Sequence, residues 1–298
     1  MKDIQVGGSL TLPQVTAGFM RVLDSDLAAE DLLGFVHQCV DAGVNAFDHA
    51  PVYGGFTIEE YFGTHVLAKE PSLRERIKLV SKTGIYLIPE KQHTGIYYDS
   101  SDTAIRSEVD RSLRKLHTDY LDLLLIHRPD PMTDLAAVAD TLNRLVENGK
   151  VKEIGVSNYS PEQVAAISAY LNVPLAANQL ELSVANTDSL FDGSIDASRA
   201  HGASIMAWSP LAGGRLFAQE GQEPNALQAK LQEIASEHST TADAIAYAWL
   251  FNINQPMTVV TGSMKIERIK AAADATAITL SREEWYGLLE ASRGYPVP

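Results

Sequence analysis

Cysteine is almost absent from this chain of 298 residues: Cys39 is the single one, so no disulfide can form within the chain. Because Cys39 falls in an apolar helical pattern, we expect a buried thiol with no part in the chemistry. Long apolar runs are missing as well. No segment is long enough to span a membrane, and residues 1–7 lack the apolar stretch of a signal peptide. These absences favour a cytoplasmic protein.

Positive charge is also scarce. The chain has 24 Lys and Arg residues against 38 Asp and Glu residues, a formal net charge of −14 at pH 7. An acidic surface repels phosphate backbones and anionic lipids, so we expect neither nucleic acid nor a membrane as a partner. A polyanionic cofactor would need a local cluster of cations. The remaining composition, 45% hydrophobic and 21% charged, is typical of a globular protein.

Two further absences bear on the fold. No low-complexity linker divides the chain, and no Gly-x-Gly-x-x-Gly motif follows the first barrel strand, as a doubly wound nucleotide-binding sheet requires. Short apolar runs instead alternate with helical patterns from end to end. The predicted strands lie near residues 16–20, 44–48, 77–82, 121–127, 152–156, 175–179, 203–208 and 257–261. Eight strands separated by helices predict an α/β protein with a single (β/α)8 barrel over residues 1–298.

Three additions to the barrel are predicted. Residues 3–12 form an N-terminal β-hairpin that turns at Gly7 and Gly8. Two helices, rather than one, precede the last strand. A capping box at residues 281–284 begins an extra C-terminal helix after the barrel has closed.

Four polar residues stand at or just after the ends of predicted strands: Asp48, Tyr53, Lys82 and His127. All strand C-termini of a parallel barrel share one face, so these side chains are expected to meet in one pocket. Such a pocket can transfer a proton, because it combines a carboxylate, a phenol, an ammonium and an imidazole. Each residue alone is more typical of a structural ion pair, a packed loop or a strand cap. Their joint occurrence at this spacing favours catalysis.

Five segments carry a resemblance to a known family. They are residues 47–54, 80–84, 119–130, 155–159 and 262–268. In order and spacing, from about residue 14 to about residue 275, they resemble the aldo-keto reductases. The resemblance implies a (β/α)8 barrel and NADPH-dependent reduction of a small-molecule aldehyde or ketone. It also favours a monomer.

The chemistry of that reaction suits the four residues. Hydride delivery to a carbonyl carbon leaves an alkoxide, so a general acid must protonate the oxygen, and Tyr53 is the candidate. We expect Lys82 to lower the pKa of the phenol and Asp48 to keep Lys82 charged and in place. His127 can hold the carbonyl oxygen by a hydrogen bond.

The resemblance also implies a cofactor site. Ser157, Asn158 and Gln179 match residues that bind the nicotinamide carboxamide, and Trp208 matches the aromatic residue that stacks on the ring. The pyrophosphate loop corresponds to Ser209, Leu211, Gly213 and Arg215. Gly262 and Ser263 open a helix whose N-terminus accepts phosphate oxygens. Lys265 and Arg268, on its first turn, suit the 2′-phosphate of NADP(H).

Some positions differ from the family pattern, and at others the sequence leaves more than one role for the residue. Ala271 and Ala272 replace the Glu and Asn that contact adenine in many members, and His49 replaces a small hydroxylic residue. Met20 and Arg128 are candidates for substrate contact. Arg128 either clamps a substrate carboxylate or pairs with Asp130 or another neighbouring carboxylate.

Three other functions compete. A class I aldolase would use Lys82 as a Schiff-base nucleophile, but that chemistry needs neither the phosphate-binding pattern nor Trp208. A metal-dependent hydrolase would need a ligand cluster that His49 and His127 alone do not make. A regulatory subunit that binds the nucleotide without turnover would keep the same cofactor site.

Overall fold

Eight parallel strands form a closed barrel, which confirms the predicted fold. The computed structural model describes residues 1–88, 95–217 and 224–297. The barrel strands are β3 (Val15–Gly18), β4 (Ala46–Asp48), β5 (Lys78–Thr83), β8 (Leu121–Ile126), β9 (Val151–Ser157), β10 (Ala177–Glu181), β11 (Ser204–Trp208) and β12 (Met257–Thr261). They follow one another in chain order, and β12 pairs with β3 to close the ring.

Helices surround the barrel and connect its strands. They are α1 (Leu32–Asp41), α2 (Ile58–Phe62), α3 (Asp102–Lys115), α4 (Leu135–Glu147), α5 (Pro161–Ser168), α6 (Ser194–Ala200), α7 (Ala226–Glu237), α8 (Ala242–Phe251), α9 (Ile266–Asp274) and α10 (Arg282–Arg293). The pair α7 and α8 precedes β12, as predicted. The capping box of Ser281 and Glu284 begins α10, and Trp285 of α10 stacks on Trp249 of α8 with ring centroids 4.7 Å apart. Among the described residues, no helix combines the length and the apolarity that crossing a bilayer requires.

The N-terminal hairpin closes the bottom of the barrel. Its strands β1 (Asp3–Val6) and β2 (Leu10–Pro13) are antiparallel, with the turn at Gly7 and Gly8 as predicted. The carboxylate of Glu153, on β9, accepts hydrogen bonds from the backbone and hydroxyl of Ser9 at 2.6 and 2.8 Å. Apolar residues of the hairpin and of the inner strand faces form one cluster. The strand C-termini therefore form the open end of the barrel.

A second hairpin, absent from the predicted elements, leaves the barrel after β5. Its strands β6 (Ile85–Leu87) and β7 (Ile96–Tyr98) are antiparallel, and the rings of Tyr86 and Tyr97 stack at 5.4 Å. Gly84 has a φ of +99°, which only glycine adopts without strain, and it turns the chain out of the barrel. Residues 89–94 lie outside the described residues.

Cys39 is buried in α1, as the sequence predicts. Burial raises the pKa of its thiol to about 12, because the thiolate would lose its hydration. The thiol is therefore protonated at neutral pH and a poor nucleophile.

Two glycines should respond in opposite directions to replacement by alanine. A Cβ at Gly155 of β9 would lie 2.6 Å from the Ala177 carbonyl oxygen and from a Leu125 methyl, so β9 must shift. We expect Gly155→Ala to cost about 1–3 kcal/mol of unfolding free energy. Gly34 of α1 has open space around it, so Gly34→Ala should stabilise by about 0.5–1 kcal/mol. Urea unfolding measures both changes; a loss of similar size at both positions would contradict the packing described here.

Candidate active site

The four predicted polar residues meet at the open end of the barrel, with Lys82 at their centre. Its ammonium nitrogen lies 2.6 Å from Asp48 Oδ1, 2.9 Å from the backbone oxygen of His49 and 3.0 Å from the Tyr53 hydroxyl. An ammonium group has three hydrogens to donate. Each of them has an acceptor, so the position of this fully buried group is fixed.

Tyr53 reaches Lys82 from the loop that follows β4. Gly54 and Gly55, the next two residues, have φ angles of +56° and +64° and turn the chain back towards α2. A Cβ at Gly54 would lie 2.8 Å from Ile58 and 2.9 Å from Thr57, so glycine is needed there for space as well as for conformation. The hydroxyl of Tyr53 is thereby turned into the barrel mouth.

The pKa of Tyr53 is shifted in the direction opposite to the one expected from the sequence. Burial raises the pKa of the phenol, and this effect outweighs the opposing one of the Lys82 charge. Burial lowers the pKa of Lys82, but Asp48 and Tyr53 more than compensate, so the net pKa of Lys82 is raised. The phenol is therefore protonated at neutral pH, as a proton donor must be, and Lys82 is charged beside it.

His127 follows β8 and faces Tyr53. The centroids of the two rings are 6.0 Å apart, and the backbone nitrogen of His127 donates to the Thr83 carbonyl at 2.9 Å. Burial holds the pKa of His127 well below its usual value, and the charges of Lys82 and Arg128 act in the same direction. The imidazole is neutral at physiological pH, so it can donate one N–H to a carbonyl oxygen.

His49, whose role the sequence leaves undecided, belongs to the core. Its ring is fully buried, with centroids 5.0 Å from Phe19 and 4.6 Å from Phe62. Neither ring nitrogen has a hydrogen-bond partner among the described residues. Burial, with the Lys82 charge, lowers the pKa of His49 to about 3. Its contribution to the site is the backbone oxygen that Lys82 contacts.

The side chains predicted to bind nicotinamide form one chain of hydrogen bonds. Trp208 Nε1 donates to Asn158 Oδ1 at 3.1 Å, Asn158 Nδ2 to Ser157 Oγ at 2.7 Å, and Ser157 Oγ to the Gln179 carbonyl at 2.9 Å. Gln179 Nε2 then donates to Asp48 Oδ2 at 2.8 Å. Asp48 therefore joins the predicted cofactor residues to Lys82 and Tyr53.

The backbone is unusual at two of the strand ends. Asn158 and Ser209, directly after β9 and β11, have φ angles of 58° and 53°. A left-handed conformation is uncommon for residues other than glycine, and such residues cluster at functional sites.

Two connected cavities open at this end of the barrel. The central cavity, of about 570 Å³, is lined by all the predicted catalytic and cofactor residues except Lys82, Arg215 and Lys265, and also by Met20 and Arg128. The outer cavity, of about 720 Å³, is lined by Lys265 and by Arg21. Both cavities are lined by Arg21, Gly262, Ser263 and Arg268. Lys82 lies buried beneath the central cavity, and Arg215 is exposed and lines neither.

The helix predicted to bind phosphate begins later in the chain than expected. Helix α9 starts at Ile266, and Lys265 is the extended residue before it, with φ −108° and ψ 119°. The backbone nitrogen of Lys265 donates to Ser263 Oγ at 3.2 Å, a local bond that competes with helix formation. Lys265 and Arg268 are both exposed. Ala272 is fully buried in the core, so its side chain does not face the outer cavity.

Among the described residues, Arg128 forms no ion pair with Asp130. Asp130 Oδ2 accepts from the Ser100 nitrogen at 2.9 Å and from Thr133 Oγ1 at 2.6 Å, and Oδ1 accepts from the Met132 nitrogen at 2.9 Å. The guanidinium of Arg128 instead lies over the ring of Trp208, 5.9 Å from its centroid.

Four polar residues that line the central cavity are not among the predicted site residues: Arg21, Asp243, Tyr247 and Thr261. The hydroxyls of Tyr247 and Thr261 share a hydrogen bond of 2.9 Å. Thr261 ends β12, so the pattern that identifies Asp48, a polar residue at the end of a barrel strand, also applies to Thr261. Tyr247 lies among the apolar residues of α8, where an aromatic side chain is more typical of the core.

Comparison with known proteins agrees with this geometry. The model of the aldo/keto reductase family matches residues 14–292. The chain belongs to the aldo/keto reductase family. The oxidoreductase YdhF of Escherichia coli is 39% identical over 94% of each chain, and a 6-dehydroglucose reductase of Agrobacterium fabrum is 35% identical over the full length of both. This aldo/keto reductase is therefore an oxidoreductase.

A solved structure agrees with the fold as well. A glycerol dehydrogenase of Gluconobacter oxydans superposes with a TM-score of 0.84 at 26% identity, covering 99% of this chain and 97% of that one. The family resemblance predicted from the five sequence segments is confirmed.

The buried His49 should make the protein sensitive to acid. Its pKa of about 3 in the folded state lies below the ordinary 6.5, so the unfolded chain binds the proton more readily. Stability from this residue is therefore lost as pH falls from 6.5 towards 3, by up to about 1.4 kcal/mol per pH unit. In His49→Phe, the melting temperature should fall less between neutral pH and about pH 4.5 than in the wild type. The exposed His201→Gln serves as control, and an unchanged pH dependence in His49→Phe would assign the acid sensitivity to other groups.

Proposed function

We propose that this aldo/keto reductase reduces aldehydes or ketones to alcohols with NADPH, and that Tyr53 is the general acid. The observation that carries the proposal is the set of three hydrogen bonds that Lys82 makes to Asp48, the His49 backbone and Tyr53 at the base of the central cavity. A charged lysine beside a protonated phenol supports proton donation.

Each residue has one part in this mechanism. A nicotinamide held by these residues would supply the hydride for the carbonyl carbon. The N–H of the neutral imidazole of His127 holds the carbonyl oxygen, and the Tyr53 O–H bond breaks to give that oxygen its proton. The ammonium of Lys82, 3.0 Å from the phenol oxygen, stabilises the phenolate that remains until water restores the proton. Asp48 keeps Lys82 charged.

The residues along the two cavities fit a dinucleotide. Backbone approach is open at Gly262, where a Cβ would meet no atom within 4 Å, and at Gly213, where the nearest atom lies 3.8 Å away on Arg21. Small residues of this kind let backbone N–H groups approach phosphate oxygens. We assign the nicotinamide end to the hydrogen-bonded chain from Trp208 to Asp48, and the 2′-phosphate to Lys265 and Arg268.

The competing functions are less well supported. A Schiff-base lysine must lose its proton, whereas the pKa of Lys82 is raised and its three donors are all engaged. A purely regulatory nucleotide-binding role has no need of the Tyr53, Lys82 and His127 arrangement. The cytoplasmic location, the monomeric state and a cofactor role for Arg215 stay predictions.

Replacing Tyr53 by Phe removes only the hydroxyl, so nucleotide affinity should stay near that of the wild type. Loss of the acid should lower kcat for a reducible aldehyde by roughly 10²–10⁴-fold. NADPH absorbance follows turnover, and fluorescence titration gives nucleotide affinity. The exposed Tyr170→Phe is the matched control. Turnover of Tyr53→Phe at the parent rate would rule out Tyr53 as the acid.

The preference for NADPH should depend on two cations. Replacing Lys265 and Arg268 by Ala should cost about 1.5–3 kcal/mol for each lost charge-assisted hydrogen bond to the 2′-phosphate. NADH lacks that phosphate, so its KM should change far less. Lys270→Ala, which removes an exposed charge from the same helix, is the control. Equal losses for the two nucleotides would mean that these residues do not recognise the 2′-phosphate.

A further inference from the structure

We propose that Arg128 binds a carboxylate of the substrate, so that the preferred substrates of this enzyme are carbonyl compounds that carry an acid group. The proposal rests on the carbonyl reduction proposed above and names the substrate class for it. It assigns Arg128 a part in specificity rather than in the chemical step.

The position of Arg128 places a cation next to the reacting carbonyl. The residue directly follows His127 at the end of β8 and lines the central cavity. Its guanidinium carbon is 5.9 Å from the centroid of the Trp208 ring. The Arg128 charge lowers the pKa of Tyr53, against the effect of burial. It also lowers the pKa of His127, in the same direction as burial. Arg128 therefore lies on the catalytic side of the cavity.

The guanidinium has no acceptor within the part of the chain that the structure describes. No carboxylate among residues 1–88, 95–217 and 224–297 forms an ion pair with it, and none of its N–H groups makes a hydrogen bond there. Asp130, two residues away, accepts three hydrogen bonds from its own surroundings, from Ser100, Met132 and Thr133. Arg128 is only half-buried, so an incoming ligand can reach it.

Guanidinium chemistry selects the ligand. The group is planar, always charged and rich in donors, and it binds the two oxygens of a carboxylate through two parallel N–H···O bonds. The cofactor phosphates have other cations to bind, because Arg21 and Arg268 line both cavities and Lys265 lines the outer one. Arg128 is therefore available to a different anion. In a chain with a net charge of −14, a local cation is also needed to offset repulsion of an anionic substrate.

The test compares acids with neutral partners of the same shape. The substrates are 3- and 4-carboxybenzaldehyde and the two corresponding carboxamides, each reduced with NADPH by the wild type and by Arg128→Met. We expect kcat/KM of the wild type to favour at least one acid over its amide by about tenfold or more, since one modest charge-assisted bond corresponds to roughly that factor. Arg128→Met should abolish this preference, with a loss of kcat/KM for the acids about tenfold or more greater than the loss for the amides, because a bidentate pair acts only on the charged group.

Two further variants sharpen the comparison. Arg128→Lys keeps the charge but loses the planar fork, so it should restore only part of the preference for the acid. Arg106→Met also removes one positive charge, from an exposed ion pair with Asp102, and should leave the preference unchanged. A similar fall for Arg106→Met would attribute the effect to net charge and overturn the proposal.

The outcomes separate this inference from the proposed function. Reduction of the amides by the wild type establishes carbonyl reduction without reference to Arg128. If acids and amides are then reduced equally well, the carboxylate site is refuted while the proposed function stands. If Arg128→Met raises the KM of NADPH and slows acids and amides alike, Arg128 belongs to the cofactor site and the inference is overturned. If no aldehyde is reduced at all, the proposed function itself fails.

Discussion

The buried ion pair between Asp48 and Lys82 is the contact on which the candidate site depends. Two opposite charges this deep in a protein are stable only when their remaining hydrogen-bonding groups also have partners. This condition is met for both charges. Lys82 also donates to the His49 carbonyl and to Tyr53, and the second oxygen of Asp48 accepts from Gln179. The hydrogen bonds of this one ion pair thus position the proposed acid on one side and the residues proposed to bind nicotinamide on the other. Removal of either charge would leave the other one buried without a partner.

The strand that carries Lys82 is held from its outer side by two more buried carboxylates. Ser81 donates to Glu59 at 2.7 Å, and Thr83 and Gly84 both donate to Glu108 at 2.8 Å. Side chains alternate across a strand, so these neighbours of Lys82 point away from the cavity while Lys82 points into it. Both carboxyl groups are buried away from water, and this burial raises the pKa of each. Hydrogen bonds in such surroundings are strong, and they anchor the end of β5 where the position of Lys82 is set.

Much of this arrangement could be predicted from the sequence, because it depends on patterns of short range. Apolar runs of strand length and the polar residues that end them predict both the barrel and the meeting of Asp48, Lys82 and His127. What could not be predicted depends on tertiary surroundings. The sign of the pKa shift of Tyr53 is set by burial, which no local pattern reveals. The late start of α9 follows from one Ser263 hydrogen bond, and the hairpin of β6 and β7 from cross-strand stacking of tyrosines. From the sequence, His49 is a polar residue next to the proposed catalytic Asp48. In the structure its ring packs against Phe19 and Phe62.

The distribution of charge determines how an acidic protein could bind an anionic cofactor. A net charge of −14 would oppose a dinucleotide phosphate if the charge were spread evenly. Charges on an exposed surface are screened beyond about 8–10 Å at physiological salt, so the sign of the nearest groups decides what a cavity accepts. Arg21 and Arg268 stand where the two cavities meet, and Lys265 stands in the outer one. The central cavity is lined by neutral groups such as Asn158 and Gln179, and also by the carboxylate of Asp243. The outer cavity is also lined by five carboxylates, those of Asp24, Asp26, Glu30, Asp31 and Glu267. The proposed phosphate site therefore depends on the positions of these three cations and not on a net positive charge of the cavity.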